Sequence, residues 1–169
     1  PAIDKIAGIF PKHPLALNLI HYNTDEKDTL GDQLVTMTKL GGPNMHGFQL
    51  NIAWPSLAVF NKYKKKYPTK QIVLQIGGHA LKMVNHSPER LAAWVSEYAQ
   101  IAKYVLLDPS AGHGKPLGPE RARDYLLALK MQNFEMGLVV AGGISPWTLH
   151  LVESLVKEFP DLSIDAERL

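Results

Sequence analysis

Carboxylate, imidazole and glycine residues of this chain follow directly after short apolar runs. Asp108 closes the run YVLL and precedes a glycine-containing segment. A carboxylate that is partly withdrawn from water can act as a general acid or base near neutral pH. An Asp before Pro and Ser also commonly forms a turn with the backbone that follows it. Both roles therefore stay open for Asp108.

The glycine pair Gly142 and Gly143 lies in the segment VVAGGIS, just before Ser145 and Pro146. Glycines between a strand and a helix let backbone N–H groups face a ligand beside the positive helix end, a geometry that holds phosphate. A tight turn that merely needs glycine would have the same residues. Because barrel phosphate sites are frequently built after the last two strands, we favour phosphate binding.

The segment AGHGKP contains Gly112, Gly114 and Lys115 and predicts a flexible loop that closes on a ligand and brings a positive charge to it. It does not have the spacing of a Walker loop. His21 and His79 also follow strands, but none of the seven histidines stands in an HxH or HExxH pattern. We therefore predict neither a metal site nor a cofactor, and we interpret His79 as a substrate contact or turn residue.

These groups need a scaffold, and the chain predicts one in which strands and helices alternate. Apolar runs rich in Val, Ile and Leu, each followed by a small or glycine-containing turn and an amphipathic stretch, are typical of a parallel sheet covered by helices. We predict six strands, at Leu15 to Ile20, Gly47 to Ala53, Gln71 to Ile76, Tyr104 to Leu107, Gly137 to Val140 and Leu162 to Ile164.

Proline marks three of the predicted helices, which open after Ser87, Gly118 and Ser145. Less sharp helical patterns cover 28–40 and 56–67, and 1–10 reads as the tail of a helix. Two α/β folds fit: an open doubly wound, flavodoxin-like sheet that binds a nucleotide, or a (β/α)8 TIM barrel that is incomplete, with about six βα units visible. We predict one barrel-type domain over residues 1–169.

Composition excludes several classes of function. The 169 residues carry a formal charge of only +2 and no cysteine. The weak charge argues against a nucleic-acid partner, and the basic run at Lys62, Lys64, Lys65 and Lys66 is expected at a solvated helix end. The lack of cysteine excludes disulfides and thiolate sites and fits a cytoplasmic location. No apolar run is long enough for a membrane span, so no membrane partner is expected.

The segment YVLLDPSAGHGKPL resembles the sixth-strand region of phosphoribosylanthranilate isomerases, where a strand ends in LLD and leads into a GGTGKTF-type loop. LVVAGGISPWTL is similar to the LAGGL-xPENV segment of that family, and LSIDAERL stands where its final VDVSSGVE strand would be. The order and spacing of the three segments agree. Looser matches upstream are LALNLI, GFQLNIA and QIVLQI, which resemble the third, fourth and fifth strands.

The resemblance implies a ribulose-phosphate-binding barrel and an Amadori-type isomerisation of a phosphoribosylated aromatic amine. Asp108 would then be the general acid that protonates the sugar ring oxygen. The phosphate site would be formed by Gly142, Gly143, Asp165 and Ala166, and the mobile substrate loop would hold Gly112, Gly114 and Lys115.

This sequence departs from the family pattern in one important respect. The family's general base is a cysteine on its first strand, and this chain has no cysteine. The chain is therefore either a fragment that lacks the family's first two strands or a divergent member that binds a small phosphorylated molecule without catalysis. A six-strand sheet would also expose two unpaired edges, which favours a homo-oligomer.

Overall fold

The computed structural model describes residues 3–108 and 118–166 of the chain. It contains six strands, namely β1 (Leu19–Tyr22), β2 (Gly47–Leu50), β3 (Gln71–Ile76), β4 (Tyr104–Leu107), β5 (Gly137–Ala141) and β6 (Ser163–Asp165). The α-helices in these ranges are α1 (Leu30–Gly41), α2 (Leu57–Lys66), α3 (Gly78–Met83), α4 (Pro88–Ser96), α5 (Pro119–Lys130) and α6 (His150–Glu158). Two 3-10 helices cover Ile3–Ile9 and Lys27–Thr29.

The six strands form one parallel sheet in which spatial order equals sequence order, β1-β2-β3-β4-β5-β6. A flavodoxin-like sheet changes direction partway and places its strands out of sequence order. The open doubly wound alternative is therefore wrong, and the predicted alternation of parallel strands and helices is confirmed.

The sheet is curled rather than flat. Gln49 on β2 and Asp165 on β6 lie four strands apart, yet the Gln49 Nε2 atom is 3.4 Å from the Asp165 Oδ2 atom. In a flat sheet the two residues would be separated by about 19 Å, because neighbouring strands lie about 4.8 Å apart. The six strands therefore form a curled half-barrel with a concave face, as an incomplete barrel would.

The two faces of the sheet have different chemistry. Residues at alternate positions of each strand pack outward against the helices and form the main core, which includes Phe48, Leu50, Ile72, Leu74, Ile76, Val105, Leu107 and Val140. The concave face carries a small apolar cluster of Val73, Leu106 and Ala141, packed against Leu19, Tyr104 and Val139. Polar residues follow this cluster toward the carboxyl ends of the strands.

Several elements differ from the sequence predictions; β2, for example, ends at Leu50 instead of Ala53. β1 begins at Leu19 instead of Leu15, and α3, which has no Pro or Ser opening, was not predicted. The third Pro-opened helix begins only at His150, because Thr148 bonds the Gly143 carbonyl and the Ser145 N–H and holds 146–149 as a turn.

Candidate functional site

The carboxyl ends of three neighbouring strands carry the predicted site residues. Asp108 follows β4, the glycine pair follows β5, and Asp165 ends β6 just before Ala166. Register fixes their proximity, since Leu107 pairs with Val140 and Ala141 pairs with Asp165. The fold thus brings Asp108, Gly142, Gly143, Asp165 and Ala166 to one edge of the sheet. Gly112, Gly114 and Lys115 lie outside the described residues.

A hydrogen-bonded chain of side chains crosses the concave face below this edge. The Gln75 Nε2 atom donates to Asp108 Oδ2 at 3.1 Å, and Gln49 Nε2 donates to Gln75 Oε1 at 3.1 Å. The same Gln49 amide approaches Asp165 Oδ2, so the contacts join β2, β3, β4 and β6. Two carboxylates are therefore oriented by two carboxamides, and we call these four residues the concave network.

The concave network is costly to bury. Asp108 is only 6% exposed and Gln75 only 4% exposed, whereas the same face carries apolar residues one layer below. Burying polar groups stabilises a fold only when each is well bonded, and an apolar layer of similar shape would commonly be as stable. Stability alone therefore gives no reason for a buried carboxylate at Asp108.

The glycine pair adopts backbone conformations that favour glycine. Gly142 has φ 118° and Gly143 has φ 59°, a region that other residues rarely adopt. Thr148 closes the turn, because its hydroxyl donates to the Gly143 carbonyl at 2.6 Å and accepts from the Ser145 N–H at 2.8 Å. The segment therefore forms a tight turn in which the Ser145 N–H is already bonded, and phosphate binding at Gly142 and Gly143 stays a prediction.

A polar cavity lies beside the network, at the carboxyl ends of β1, β2 and β3. Its volume is about 300 Å³, and its lining is Asn23, Thr24, Asp25, Lys27, Asn51, Ile52, Ala53, Gln75, Gly77, Gly78, His79 and Ala80. Gln75 belongs both to this lining and to the concave network. A molecule in the cavity that contacts Gln75 would therefore be linked to Asp108 through that one side chain.

Trp54 supports one wall of the cavity and does not line it. Its indole Nε1 donates to the Ala80 carbonyl at 3.2 Å, and its ring packs edge-on against Trp94 at 5.0 Å. Trp54 therefore has a packing role. Trp54 also has φ 47°, a strained conformation for a non-glycine residue, and such strain tends to collect beside functional sites.

The histidines at strand ends are dispersed. His79 lines the cavity, and His21 is the register partner of Gln49 on the edge strand β1. Within residues 3–108 and 118–166, no three His, Cys, Asp or Glu side chains come close enough to hold a metal ion.

Sequence reasoning missed Gln49, Gln75 and Asn51. A signal was present, because Gln71, Val73 and Gln75 alternate in a strand whose other positions are Ile and Leu, so one face of that strand is partly polar. Alternation alone did not say that the polar face would be enclosed by a curled sheet.

No helix within the described ranges is long and apolar enough to cross a bilayer.

Comparison with known proteins assigns no family. The chain matches no protein-family model and no curated protein sequence with which it was compared, so the resemblance to phosphoribosylanthranilate isomerases remains a prediction from motifs.

Proposed function

We propose that this protein is of the (β/α)8 barrel type and binds a small phosphorylated sugar at the carboxyl ends of its strands, with Asp108 as general acid in an Amadori-type isomerisation. The concave network is the observation that carries this proposal. A buried carboxylate, oriented by an amide and next to a polar cavity, is suited to exchange a proton with a bound ligand.

The glycine turn and the end of β6 are the proposed phosphate site. The Asp165 carboxylate reaches across the concave face to Gln49, and Asp165 pairs with Ala141, which directly precedes the glycine turn. Backbone N–H groups in turns of this kind attract anions without needing a basic side chain. The motif resemblance at LVVAGGIS supports the same assignment.

A second candidate function is binding without catalysis. It is favoured by the sequence, which offers no cysteine in the role of the family's base. In this case the phosphate site and the cavity would still hold the ligand, and Asp108 would serve as a hydrogen-bond acceptor. The two candidates share a ligand class and differ in turnover alone.

Thermal unfolding in inorganic phosphate tests the shared part of both candidates. We expect the melting temperature to rise with phosphate concentration, since a ligand at 100 times its Kd stabilises the folded state by about 2.7 kcal/mol. Potassium chloride at equal ionic strength should give a smaller shift. Failure of millimolar phosphate to exceed the chloride effect would reject the phosphate site.

Two glycine variants test where the phosphate that raises the melting temperature binds. Gly143→Ala places a side chain at φ 59°, and Gly42→Ala places one at φ 70° in the segment after α1, where it also meets the Ala7 Cβ atom at 2.9 Å. Both variants should unfold at lower temperature because both are strained. Only Gly143→Ala should also lose the response to phosphate. An equal response in the two variants would place the anion elsewhere.

A further inference from the structure

The cavity at the ends of β1, β2 and β3 holds polar groups that neither the glycine turn nor the concave network uses. Among the described residues, the Asn51 carboxamide has no hydrogen-bond partner, although the residue is half-buried in the cavity wall. Its Oδ1 lies 3.3 Å from the position that a Cβ on Gly77 would occupy. A carboxamide offers both a donor and an acceptor, so Asn51 can bind a ligand that presents both.

Charge in the cavity is balanced. The lining contains one cationic and one anionic side chain, Lys27 and Asp25, and the Lys27 ammonium already donates to the Ala53 carbonyl at 3.3 Å. A strongly anionic ligand group would meet Asp25 as well as Lys27. The lining therefore favours a neutral ligand part over a second phosphate or a carboxylate.

The composition of the cavity lining also disfavours an aromatic ring. Within the described part of the chain the lining contains no Phe, Tyr or Trp, and the nearest indole, that of Trp54, packs against Trp94 behind the wall. Aromatic ligands are usually held by flat apolar or aromatic faces. A volume of about 300 Å³ is large enough for a pentose.

We propose that this cavity binds the neutral, hydroxyl-bearing part of the ligand, with Asn51 as the residue that recognises vicinal hydroxyl groups. The inference rests on the proposed function in taking the ligand to be a phosphorylated sugar. It differs from the resemblance, which implies a phosphoribosylated aromatic amine. Gln75, which lines the cavity and donates to Asp108, connects the hydroxyl-binding groups to the carboxylate.

Calorimetric titration with four probes tests the inference: inorganic phosphate, D-ribose 5-phosphate, D-ribose and 2-aminobenzoate. We expect D-ribose 5-phosphate to bind at least about tenfold more tightly than inorganic phosphate, the gain of one or two neutral hydrogen bonds. We expect no binding of 2-aminobenzoate. Equal affinities for the phosphate and the sugar phosphate would overturn the inference, as would preferential binding of 2-aminobenzoate.

Two variants test whether the tighter binding of D-ribose 5-phosphate arises in the cavity. Asn51→Leu keeps the approximate shape and removes both polar groups, and Gly77→Ala pushes a methyl group toward the Asn51 carboxamide. Each should abolish the tenfold preference and leave the affinity for inorganic phosphate unchanged. Gly8→Ala is the control, since nothing lies within 4 Å of the added methyl group. If circular dichroism shows that Asn51→Leu does not fold, the titration is done with Gly77→Ala instead.

The outcomes separate this inference from the proposed function. If inorganic phosphate does not bind but D-ribose binds and Gly77→Ala abolishes that binding, the phosphate site fails and the hydroxyl site stands. If inorganic phosphate binds and the sugar adds nothing, the hydroxyl site fails and the phosphate site stands. If none of the four probes binds, both fail.

Discussion

Asp108 occupies a position in which a carboxylate has chemical use. It ends a buried strand, is 6% exposed, and accepts a hydrogen bond from an amide that is itself fixed by Gln49. A carboxylate held in this way loses little orientational freedom when a ligand arrives. Its neighbour in the same row of the concave face is Ala141.

The substitution Asp108→Asn tests the catalytic part of the proposal. The carboxamide keeps the size of the carboxylate and can still accept from Gln75, so we expect a small change in melting temperature and intact binding of inorganic phosphate. Turnover of a phosphorylated glycosylamine should fall by a factor of about 100 to 10,000, because the general acid is lost. Gln100→Asn, at an exposed site, is the control. Turnover equal to that of the unmodified protein would reject Asp108 as the acid.

Two buried tyrosines make the fold sensitive to alkali. Burial raises the pKa of Tyr63 to about 12, partly offset by its hydrogen bond with Thr38, and burial raises the pKa of Tyr98 to about 12. Both pKa values lie near 10 in the unfolded chain. The neutral form is therefore favoured by folding, so the stability that it contributes is complete below pH 10 and is lost as the pH rises toward 12.

Urea unfolding between pH 9 and pH 12 measures this contribution. The free energy of unfolding should fall over that range by roughly 2 to 3 kcal/mol for each tyrosine. The double variant Tyr63→Phe with Tyr98→Phe should be less stable at pH 9, since it loses hydrogen bonds to Thr38 and the Pro55 carbonyl. The free energy of unfolding of the double variant should fall less steeply above pH 10 than that of the unmodified protein. Parallel curves for the two proteins would contradict the assignment.

At the scale of elements, the site depends on close contact between strands β2 and β3. Gly47 begins β2 and pairs with Gln71, and an added Cβ at Gly47 would overlap the Gln71 carbonyl oxygen. That carbonyl belongs to the backbone of a central strand and cannot move aside as a flexible side chain can. The register that places Gln49 beside Gln75 therefore requires glycine at position 47.

Gly47→Ala should destabilise the protein by about 3 kcal/mol or more, because the strands must separate to admit the methyl group. Denaturant unfolding measures the loss. Gly8→Ala, with open space around it, should change the free energy of unfolding by less than about 1 kcal/mol. Equal stability of the two variants would show that the β2–β3 contact is looser than described.

At the scale of the whole molecule, the described sheet has two edges. β1 and β6 each pair with one neighbour within residues 3–108 and 118–166. Ile164 on β6 is 42% exposed. Unpaired strands with exposed apolar residues pair readily with other chains. We therefore expect this chain to self-associate.

Sedimentation velocity over a range of protein concentrations tests that expectation. The weight-average mass should rise above that of one chain as concentration increases. Ile164→Lys should shift the equilibrium toward the monomer, since a charge on an edge strand opposes pairing. Met131→Lys, which changes a 78% exposed residue at the end of α5, should have no such effect. A monomer at all concentrations would reject edge pairing.

The sequence by itself determined the alternation of strands and helices, the approximate place of each strand, and the presence of Asp108 and the glycine pair at strand ends. These features follow from local patterns: apolar runs, Ser and Pro at helix starts, and glycine where the backbone turns. The start of α6 was misjudged because Thr148 bonds the preceding backbone, and a local pattern does not show which side chain completes a turn.

Only the tertiary structure decided how the strands curl and which polar side chains meet. Gln49 and Asp165 are 116 residues apart in the chain and come together because the parallel sheet bends through six strands. The cavity at the ends of β1, β2 and β3 likewise depends on where three separate loops lie. Such contacts arise from packing across the whole sheet, which no short stretch of sequence encodes.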